Sequence, residues 1–226
     1  MHILLFVAGT NIPSNSDYLA DRFIEGMKEV PNTSVTKIRL KDVIIEHFDL
    51  RFYDASTDQG EGFKAVERQI RESDAVVIAS PIWNFSIPAH LKNLIDRMGS
   101  FGLDAETHSL GTFKGKPFYL IFTGGSPTPA WTGLQKKTVS HLPTSIRYFG
   151  GCVIGSHYEE RCTKGRGQFG LVVDQRSQSI KTMRKRGEYF AGVVSTFATT
   201  GKLPMRERFI FWLFQIAQKL KKKLGL

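Results

Sequence analysis

Residues 75–97 constrain the fold of this chain of 226 residues more than any other stretch. Residues 75–79 are apolar without interruption and have valine and isoleucine at their centre, which is typical of a short strand buried on both faces of a parallel sheet. Ser80-Pro81 ends the strand because proline has no N–H to donate, and Pro88 suits the first turn of a helix. The stretch therefore predicts a strand, a loop and a helix over residues 88–98, in that order.

The loop between this strand and helix, residues 80–87, contains Trp83 and Phe85. Loops are normally polar, and in open α/β sheets the carboxyl ends of the strands are where ligands bind. Two aromatic side chains at this position indicate a flat, apolar ligand. An ordinary strand-to-helix turn with incidental aromatics is the alternative, since single exposed aromatics are common.

The rest of the chain alternates strands and helices, with an irregular segment over residues 42–59. The predicted strands are residues 3–8, 35–40 and 117–122, together with a fifth that begins at 152–154 and ends at 156–158. The predicted helices are residues 17–29, 61–73, 134–149 with an interruption at Pro143, and 175–200. This alternation predicts a doubly wound parallel sheet of the α/β class. No GxGxxG follows the first strand, which speaks against a dinucleotide-type Rossmann domain.

The loop after the first strand, residues 9–16, is rich in hydroxyl and amide side chains. A helix N-terminus presents free N–H groups and a partial positive charge, so this junction suits an anion. Simple N-capping of the helix by a serine is the alternative. The candidate contacts are Thr10, Asn11, Ser14, Asn15 and Ser16.

The run Ser-Pro-Ile-Trp-Asn-Phe-Ser-Ile-Pro-Ala-x-Leu-Lys-x-x-Ile-Asp-Arg at residues 80–97 resembles the flavin loop of the flavodoxin-like NAD(P)H-dependent FMN reductase and quinone reductase family. The resemblance covers residues 1–200 and implies a flavodoxin-like fold with five parallel strands in the order 2-1-3-4-5. In that family the loop backbone and its aromatic residue hold the isoalloxazine ring of FMN. The contacts that this implies are Pro81, Ile82, Trp83, Asn84 and Phe85.

The same resemblance places the FMN phosphate in the loop of residues 9–16, although this chain has no arginine after Pro13 and no tight glycine spacing there. It also assigns FMN contacts to the segment after the strand 117–122, where glycines allow close approach of the backbone and hydroxyls suit the pyrimidine edge. A plain Gly-Gly turn is the alternative for this segment. Its implied contacts are Thr123, Gly124, Gly125 and Ser126.

The activity that the resemblance implies is hydride transfer from NAD(P)H through bound FMN to a flavin, quinone or similar small-molecule acceptor. The flavin supplies the chemistry, so no side-chain nucleophile or metal is required. Family members often form dimers that build the site between subunits, which implies a homo-oligomer. The first alternative is a flavodoxin-like electron carrier that does not itself oxidise NAD(P)H, and the second is a membrane- or partner-binding protein that has kept the fold without activity. Such carriers have an acidic net charge and a T-x-T-G-x-T phosphate loop. This sequence has a basic net charge and lacks that motif.

The net charge of +10 is located mainly in the tail. Residues 202–226 contain seven basic residues and one acid, which gives +6 of the +10. Clustered Lys and Arg can bind nucleic acid, but the remainder of the chain is only mildly basic. No nucleic-acid partner is therefore expected.

The tail, residues 203–226, predicts an amphipathic helix that follows a flavodoxin-like domain at residues 1–202. Its six consecutive apolar residues at 209–214 are far fewer than the roughly 20 needed to span a bilayer. The helix therefore either packs on the domain or a second subunit, or lies on a membrane surface. The apolar stripe consists of Phe209, Leu213, Ile216, Ala217, Leu220 and Leu224.

Cysteine usage and the N-terminus point to a cytoplasmic protein. Cys152 and Cys162 have neither a CxxC spacing nor a nearby histidine pair, so neither a metal site nor a disulfide scaffold is indicated. The N-terminal apolar run is short, lacks a basic region before it and leads directly into a loop, so it is not expected to be a signal peptide.

Two further features near the fifth strand are candidates for function. His157 and Tyr158 are possible acids, but a histidine at a strand end is more often a hydrogen-bonded structural group. The following loop, residues 159–170, is either a solvated loop or one that meets a nucleotide phosphate. Its basic residues are Arg161, Lys164 and Arg166.

Overall fold

The computed structural model describes residues 1–165 and 168–223 of the chain. Within these residues, five parallel strands form a single sheet in the order β2-β1-β3-β4-β5, so the predicted strand order is confirmed. The strands are β1 (His2–Val7), β2 (Ser34–Arg39), β3 (Ala75–Pro81), β4 (Pro117–Thr123) and β5 (Cys152–Glu159). β3 lies at the centre of the sheet, as its unbroken apolar run predicts.

Helices cover both faces of this sheet. They are α1 (Asn15–Met27), α2 (Glu61–Glu72), α3 (Ala89–Gly102), α4 (His141–Tyr148), α5 (Ser177–Thr200) and α6 (Met205–Lys223). A short, irregular helical segment over residues 128–138, with a π-helical turn at Trp131–Gln135, connects β4 to α4. Three-residue and four-residue 3-10 turns occur at Leu40–Asp42, Leu50–Tyr53 and Val173–Gln175.

The helical segment predicted over residues 134–149 is interrupted, but the prediction that the interruption lies at Pro143 is wrong. The helical path breaks at Val139 and Ser140, and Pro143 is the third residue of α4. Proline is tolerated there because the first N–H groups of a helix have no partner within it.

Alternate residues of the strands point to opposite faces, and both faces are buried. One face packs against α1 and α5, where Leu5, Val77 and Ile121 contact the layer that contains Phe23 and Phe190. The other face packs against α2, α3 and α4. A sheet buried on both sides explains why its strands are apolar without alternation.

α1 and α5 approach each other so closely that their backbones touch. A Cβ atom at Gly26 would lie 1.9 Å from the carbonyl oxygen of Arg184, and one at Gly187 would lie 2.1 Å from that of Phe23. Neither contact is possible for any other residue. These two glycines therefore fix the spacing of the helix pair on this face.

Arg97 on α3 organises the segment of residues 42–59, which has no periodic pattern in the sequence. Its guanidinium is fully buried and donates hydrogen bonds to the carbonyl oxygens of Glu46 at 3.0 Å and Gln59 at 2.8 Å. It also lies over the rings of Phe52 and Phe63, 3.4 and 4.2 Å from their centroids. One buried cation thus holds both ends of the segment.

The C-terminal helix α6 packs on α4 and β5. Gln218 is buried in this interface, where its side-chain amide donates to the carbonyl oxygen of Tyr148 at 2.6 Å. The predicted apolar stripe lies largely on the opposite, outer side. Its residues Phe209, Leu213, Ala217 and Leu220 are exposed, whereas Leu224 lies outside the described residues.

The packing alternative for the tail is confirmed, and the membrane alternative stays a prediction. α6 packs on the domain through one side and leaves an apolar side free. Among the described residues, no helix is both long enough and apolar enough to cross a bilayer.

Candidate ligand-binding site

The three loops singled out from the sequence meet at one edge of the sheet. Residues that follow β1, β3 and β4 line a common cleft, because the carboxyl ends of parallel strands lie at the same edge. The cleft is shallow, with a volume of about 60 Å³, well below the roughly 300 Å³ of a typical ligand pocket. A ligand as large as a flavin must therefore rest across these loops with much of its surface outside the cleft. The lining includes Gly9, Asn11, Ser14, Asn15, Pro81, Ile82, Trp83, Thr123, Gly124 and Gly125.

In the loop before α1, hydroxyl groups cluster at the start of the helix. Ser14 is the N-cap, and its Oγ accepts from the N–H of Asp17 at 3.4 Å and lies 3.1 Å from Oγ of Ser16. The N-capping interpretation of Ser14 is thus confirmed as geometry, and it leaves the junction open to an anion. A Cβ atom at Gly9 would lie 2.4 Å from Oγ of Ser14 and 2.5 Å from Oγ of Ser16, so a larger residue there would have to displace these two hydroxyls.

Asn15 has a structural task within the same loop. Its side-chain NH₂ donates to the carbonyl oxygens of Cys162 at 3.3 Å and Gly170 at 2.8 Å, and its Oδ1 accepts from the N–H of Val172 at 3.0 Å. The amide group is fully engaged by the protein. Asn15 therefore fastens the segment after β5 to the start of α1.

An arginine that sequence spacing did not indicate lies beside this loop. Arg39, the last residue of β2, donates to the carbonyl oxygen of Asn11 at 3.4 Å and pairs with the carboxylate of Asp17 at 3.2 Å. β2 lies beside β1 in the sheet, so Arg39 at the carboxyl end of β2 comes close to the loop that follows β1. This loop has no arginine of its own after Pro13. The signal in the sequence was a basic residue at the end of the predicted strand beside β1.

The aromatic loop is held by a tight turn. The N–H and C=O groups of Trp83 and Ser86 bond to each other at 2.8 and 2.9 Å. Asn84 and Phe85 between them have φ angles of 48° and 65°, a left-handed conformation that is unusual for a bulky residue such as phenylalanine. Phe85 is 60% exposed and Trp83 is half-buried. The turn therefore places Trp83 in the lining of the cleft and leaves Phe85 exposed outside that lining, at a cost in backbone strain.

The segment Thr123–Ser126 is fixed to the end of β5. A Cβ atom at Gly124 would lie 2.6 Å from the hydroxyl of Tyr158, which donates to the carbonyl oxygen of Ser126 at 2.8 Å. Burial raises the pKa of Tyr158 to about 12, so its hydroxyl keeps its proton at neutral pH. The ring of Tyr158 stacks on Trp131, with centroids 4.2 Å apart. Tyr158 thus holds the segment Thr123–Ser126 in place through its hydroxyl, and it is not among the residues that line the cleft.

His157 belongs to a charged group beneath the cleft. Its Nε2 lies 3.1 Å from Oε2 of Glu159, whose Oε1 accepts from Arg176 and from Ser179, both at 2.8 Å. Burial opposes ionisation of Glu159, but the hydrogen bonds from His157, Arg176 and Ser179 outweigh it and lower the pKa of this carboxyl. His157 is thus hydrogen-bonded within the protein, as its position at a strand end favoured, and it does not line the cleft.

A fourth wall of the cleft comes from the loop after β5, which the sequence left as either solvated or phosphate-binding. Cys162, Thr163, Phe169 and Gly170 line the cleft, and Arg161 and Lys164 are exposed. Arg166 lies outside the described residues. No motif marks this wall, since its position depends on the amide clamp of Asn15.

The strand order and the position of the cleft define the class of protein. A parallel sheet in the order 2-1-3-4-5 with a ligand site beside β1 and β3 is a flavodoxin-like α/β domain. The model of the NADPH-dependent FMN reductase family matches residues 1–158. The chain belongs to this family.

Individual relatives agree with this assignment. The chain is 30% identical over 118 residues to an FMN-dependent NADH:quinone oxidoreductase of Shewanella loihica, a match that covers 51% of this chain and 59% of the relative. It is 48% identical over 52 residues to a quinone reductase of Escherichia coli K12, covering 21% of this chain and 28% of the relative. These matches span about half or less of the curated relatives.

Solved structures share the fold. An NAD(P)H:quinone oxidoreductase from Methanothermobacter marburgensis superposes with a TM-score of 0.63 at 18% identity, covering 83% of this chain and 96% of that one. An FMN-dependent NADH-azoreductase from Bacillus anthracis, solved in complex with FMN, gives a TM-score of 0.59 at 19% identity, covering 85% and 98%. At these identities the likeness shows the fold alone.

Proposed function

We propose that this chain is an FMN-dependent oxidoreductase that uses NAD(P)H to reduce a quinone or a similar small acceptor. The observation that carries the proposal is the meeting of the three loops around one cleft in a member of the FMN reductase family. When bound, FMN supplies the hydride chemistry. The contribution of the chain is to bind, orient and polarise the flavin.

The residues that would hold FMN fit its three chemically different parts. Trp83 and Phe85 offer aromatic area to the flat ring, and Thr123 to Ser126 offer hydroxyl and backbone groups to its polar edge. The start of α1 offers N–H groups and Arg39 a positive charge to the phosphate. Gly9 and Gly124 allow the close approach of backbone that this fit requires. Asn15 would contribute through its backbone, because its side-chain amide is engaged within the protein. The full proposed set is Arg39 together with Thr10, Asn11, Ser14, Asn15, Ser16, Pro81, Ile82, Trp83, Asn84, Phe85, Thr123, Gly124, Gly125 and Ser126.

Backbone N–H groups of the aromatic loop are proposed to stabilise negative charge on the reduced ring. Those of Ile82 and Trp83 already donate to Thr123 and Ser86. In the described part of the chain, those of Asn84 and Phe85 have no protein acceptor. Their left-handed turn leaves both N–H groups available to a ligand.

Absorption spectroscopy of the purified protein tests the cofactor, and rapid mixing with NADPH tests the activity. We expect flavin peaks, release of FMN on heating, and fast anaerobic bleaching of those peaks by NADPH. FAD as the main species released would contradict the proposed cofactor. A flavin that NADPH does not bleach would favour the electron carrier.

The shallowness of the cleft supports a homo-oligomer in which a second copy covers the flavin. A group that rests across the loops remains open to solvent unless another surface closes over it. Sedimentation velocity of the FMN-loaded protein measures this assembly, and a strictly monomeric active enzyme would rule it out.

We propose a cytoplasmic location because both cysteines are unpaired thiols, as is usual in a reducing compartment. Cys152 and Cys162 are both free and buried, and burial raises the pKa of each thiol to about 12. Such thiols are structural rather than reactive.

The tail at residues 203–226, distinct from the domain at 1–202, is proposed to contact anionic membranes at their surface. Its support is the exposed apolar side of α6 together with the adjacent lysines at 219 and 221–223, which are exposed. Each basic residue near an anionic surface contributes about 1 kcal/mol. Such contact would bring the cleft near membrane quinones.

A further inference from the structure

A second cavity lies on the far side of the Trp131 and Tyr158 stack from the flavin cleft. It is bordered by β4, the first half of β5, the segment of residues 128–138, α4 and the first turns of α6, and its volume is about 390 Å³. This volume is within the range of small-molecule sites. None of its lining residues belongs to the proposed FMN set, so it is a separate site.

One part of the lining of this cavity is apolar. It consists of Leu120 and Phe122 of β4, the ring of Trp131, Val139 and Ile210. This part suits a flat or aliphatic body, and hydroxyl groups of Ser140 and Ser156 lie elsewhere in the lining.

The remaining lining is strongly basic. Arg147 of α4, Arg206 of α6 and Lys136 contribute three positive charges, against the single acid Glu207. Within residues 1–165 and 168–223, none of the three cations forms an ion pair. Arg147 is half-buried, and burial and the nearby Arg206 both lower its pKa, which an anionic ligand between the two would reverse.

We propose that this cavity binds an organic anion, with its carboxylate, sulfonate or phosphate held between Arg147 and Arg206 and its apolar body against Phe122 and Trp131. Guanidinium groups recognise such oxyanions with paired hydrogen bonds. Arg206 is close enough to lower the pKa of the half-buried Arg147, so an anion bound by both guanidinium groups would offset their repulsion. Two sources supply this chemistry, a free metabolite and the headgroup of an anionic lipid, since Arg206 begins the helix that carries the exposed apolar side.

The test uses the FMN-loaded protein, so that the flavin cleft is filled. The probe is the aromatic sulfonate 8-anilinonaphthalene-1-sulfonate, and N-phenyl-1-naphthylamine, which has the same rings without the charge, is its neutral counterpart. We expect saturable binding of the sulfonate. Each of Arg147→Gln and Arg206→Gln should weaken it about tenfold, as loss of a charge-assisted hydrogen bond does, with little change for the neutral probe.

Arg208→Gln is the matched control, because Arg208 lies on the same helix, is exposed and does not line the cavity. It removes the same charge and should leave binding of the sulfonate unchanged. Val153→Phe keeps the cations and fills the space, so it should weaken both probes. If Arg147→Gln does not fold, as judged by retention of flavin, Arg206→Gln decides the charge requirement because its side chain is exposed.

Co-sedimentation with vesicles of phosphatidylglycerol and phosphatidylcholine separates the two sources. A headgroup ligand predicts that Arg147→Gln weakens vesicle binding as well as sulfonate binding, whereas a free metabolite predicts a loss for the sulfonate alone. Unchanged sulfonate affinity in Arg206→Gln and in Val153→Phe would overturn the proposal. An equal loss in Arg208→Gln would also overturn it, because the effect would then reflect net charge.

Discussion

Trp83 and Phe85 project from a turn whose central residues have left-handed backbone angles. For a residue other than glycine this conformation costs about 1–2 kcal/mol. A fold that needed only to connect β3 to α3 would gain from glycine at Phe85. We propose that a ligand contact made by this loop is what the strain serves.

Trp83→Ala should weaken FMN binding about threefold to tenfold without unfolding the domain. The reason is that an aromatic contact contributes about 0.5–1.5 kcal/mol beyond its area, while Trp83 is only half-buried and outside the core. Fluorescence titration of the apoprotein with FMN measures the affinity. Trp212→Ala, at a 52% exposed position on α6, is the matched control. Unchanged FMN affinity with a large loss of thermal stability would show instead that Trp83 is a core residue.

Glu159 gives a stability that depends on pH in a defined direction. Its folded pKa lies below the unfolded value of 4.5, so its contribution is fully present above pH 4.5 and is lost as the pH falls through the folded pKa. Glu159→Gln should cost about 1–3 kcal/mol at neutral pH, because the charged hydrogen bonds from Arg176 and His157 to the buried carboxylate are weakened. Urea unfolding between pH 3 and 7 should show the two proteins converging towards acid. If the difference in unfolding free energy between the two proteins stayed constant with pH, the loss would be due to packing and not to the charge of Glu159.

Chemistry local to the sequence predicted nine of the residues that line the cleft, and contacts distant in sequence position the others. The predicted residues that do not line it are Thr10, Ser16, Asn84, Phe85 and Ser126. The aromatic, hydroxyl and glycine residues were recognisable because each loop follows a strand. The amide clamp of Asn15 and the approach of Arg39 depend on pairs 155 and 28 residues apart. No local pattern encodes the clamp, and the position of Arg39 near the end of a predicted strand is the one signal for its approach. The same holds for Phe169 on the fourth wall.

Among the elements, strands and helices with clear periodicity were predictable, and the segment of residues 42–59 was not. That segment owes its path to the buried guanidinium of Arg97, whose carbonyl partners on Glu46 and Gln59 have no sequence signal. The tail is a related case. Helical spacing identified its apolar stripe, but packing of α6 depends on Gln218 and on the shape of α4 and β5, so the stripe was left outside.

The outer side of α6 should bind anionic vesicles without help from its inner side. Phe209→Ser combined with Trp212→Ser changes two side chains that are 58% and 52% exposed, so vesicle binding should fall while thermal stability stays the same. High salt should weaken binding by the unchanged protein, since the lysines act through screened charge.

Truncation after Lys202 supplies the contrast. It removes both sides of α6, so it should abolish vesicle binding and also lower stability, because α4 and β5 lose their cover. Co-sedimentation at low and high salt measures both variants. Equal binding by the full-length chain and the truncated chain, or none by the full-length chain, would reject the membrane contact.

For the whole molecule, the parallel sheet converts sequence order into a site. Every βα connection returns the chain to the same edge, so loops separated by more than 100 residues meet in one cleft. Strand order was therefore enough to predict that the loops converge. The depth of the cleft was not predictable, because it depends on how the segment after β5 closes against α1.

A ligand that joins these loops should stabilise the whole domain, and its phosphate should account for part of the effect. FMN at about 100 times its dissociation constant adds about 2.7 kcal/mol, which corresponds to a rise in Tm of about 5–10 °C for a chain of this length. Riboflavin, which has the same ring and no phosphate, should give a smaller rise, since the start of α1 and Arg39 then have no anion to hold.

The variant Arg39→Gln tests whether the difference between the Tm shifts with FMN and with riboflavin arises where the phosphate is proposed to bind, at the start of α1. Each ligand-induced shift is measured against the ligand-free form of the same variant, which cancels the loss of the pair with Asp17. The shift with FMN should fall towards that with riboflavin, and the shift with riboflavin should not change. Equal shifts for FMN and riboflavin in the unchanged protein would show that the phosphate does not bind at the start of α1.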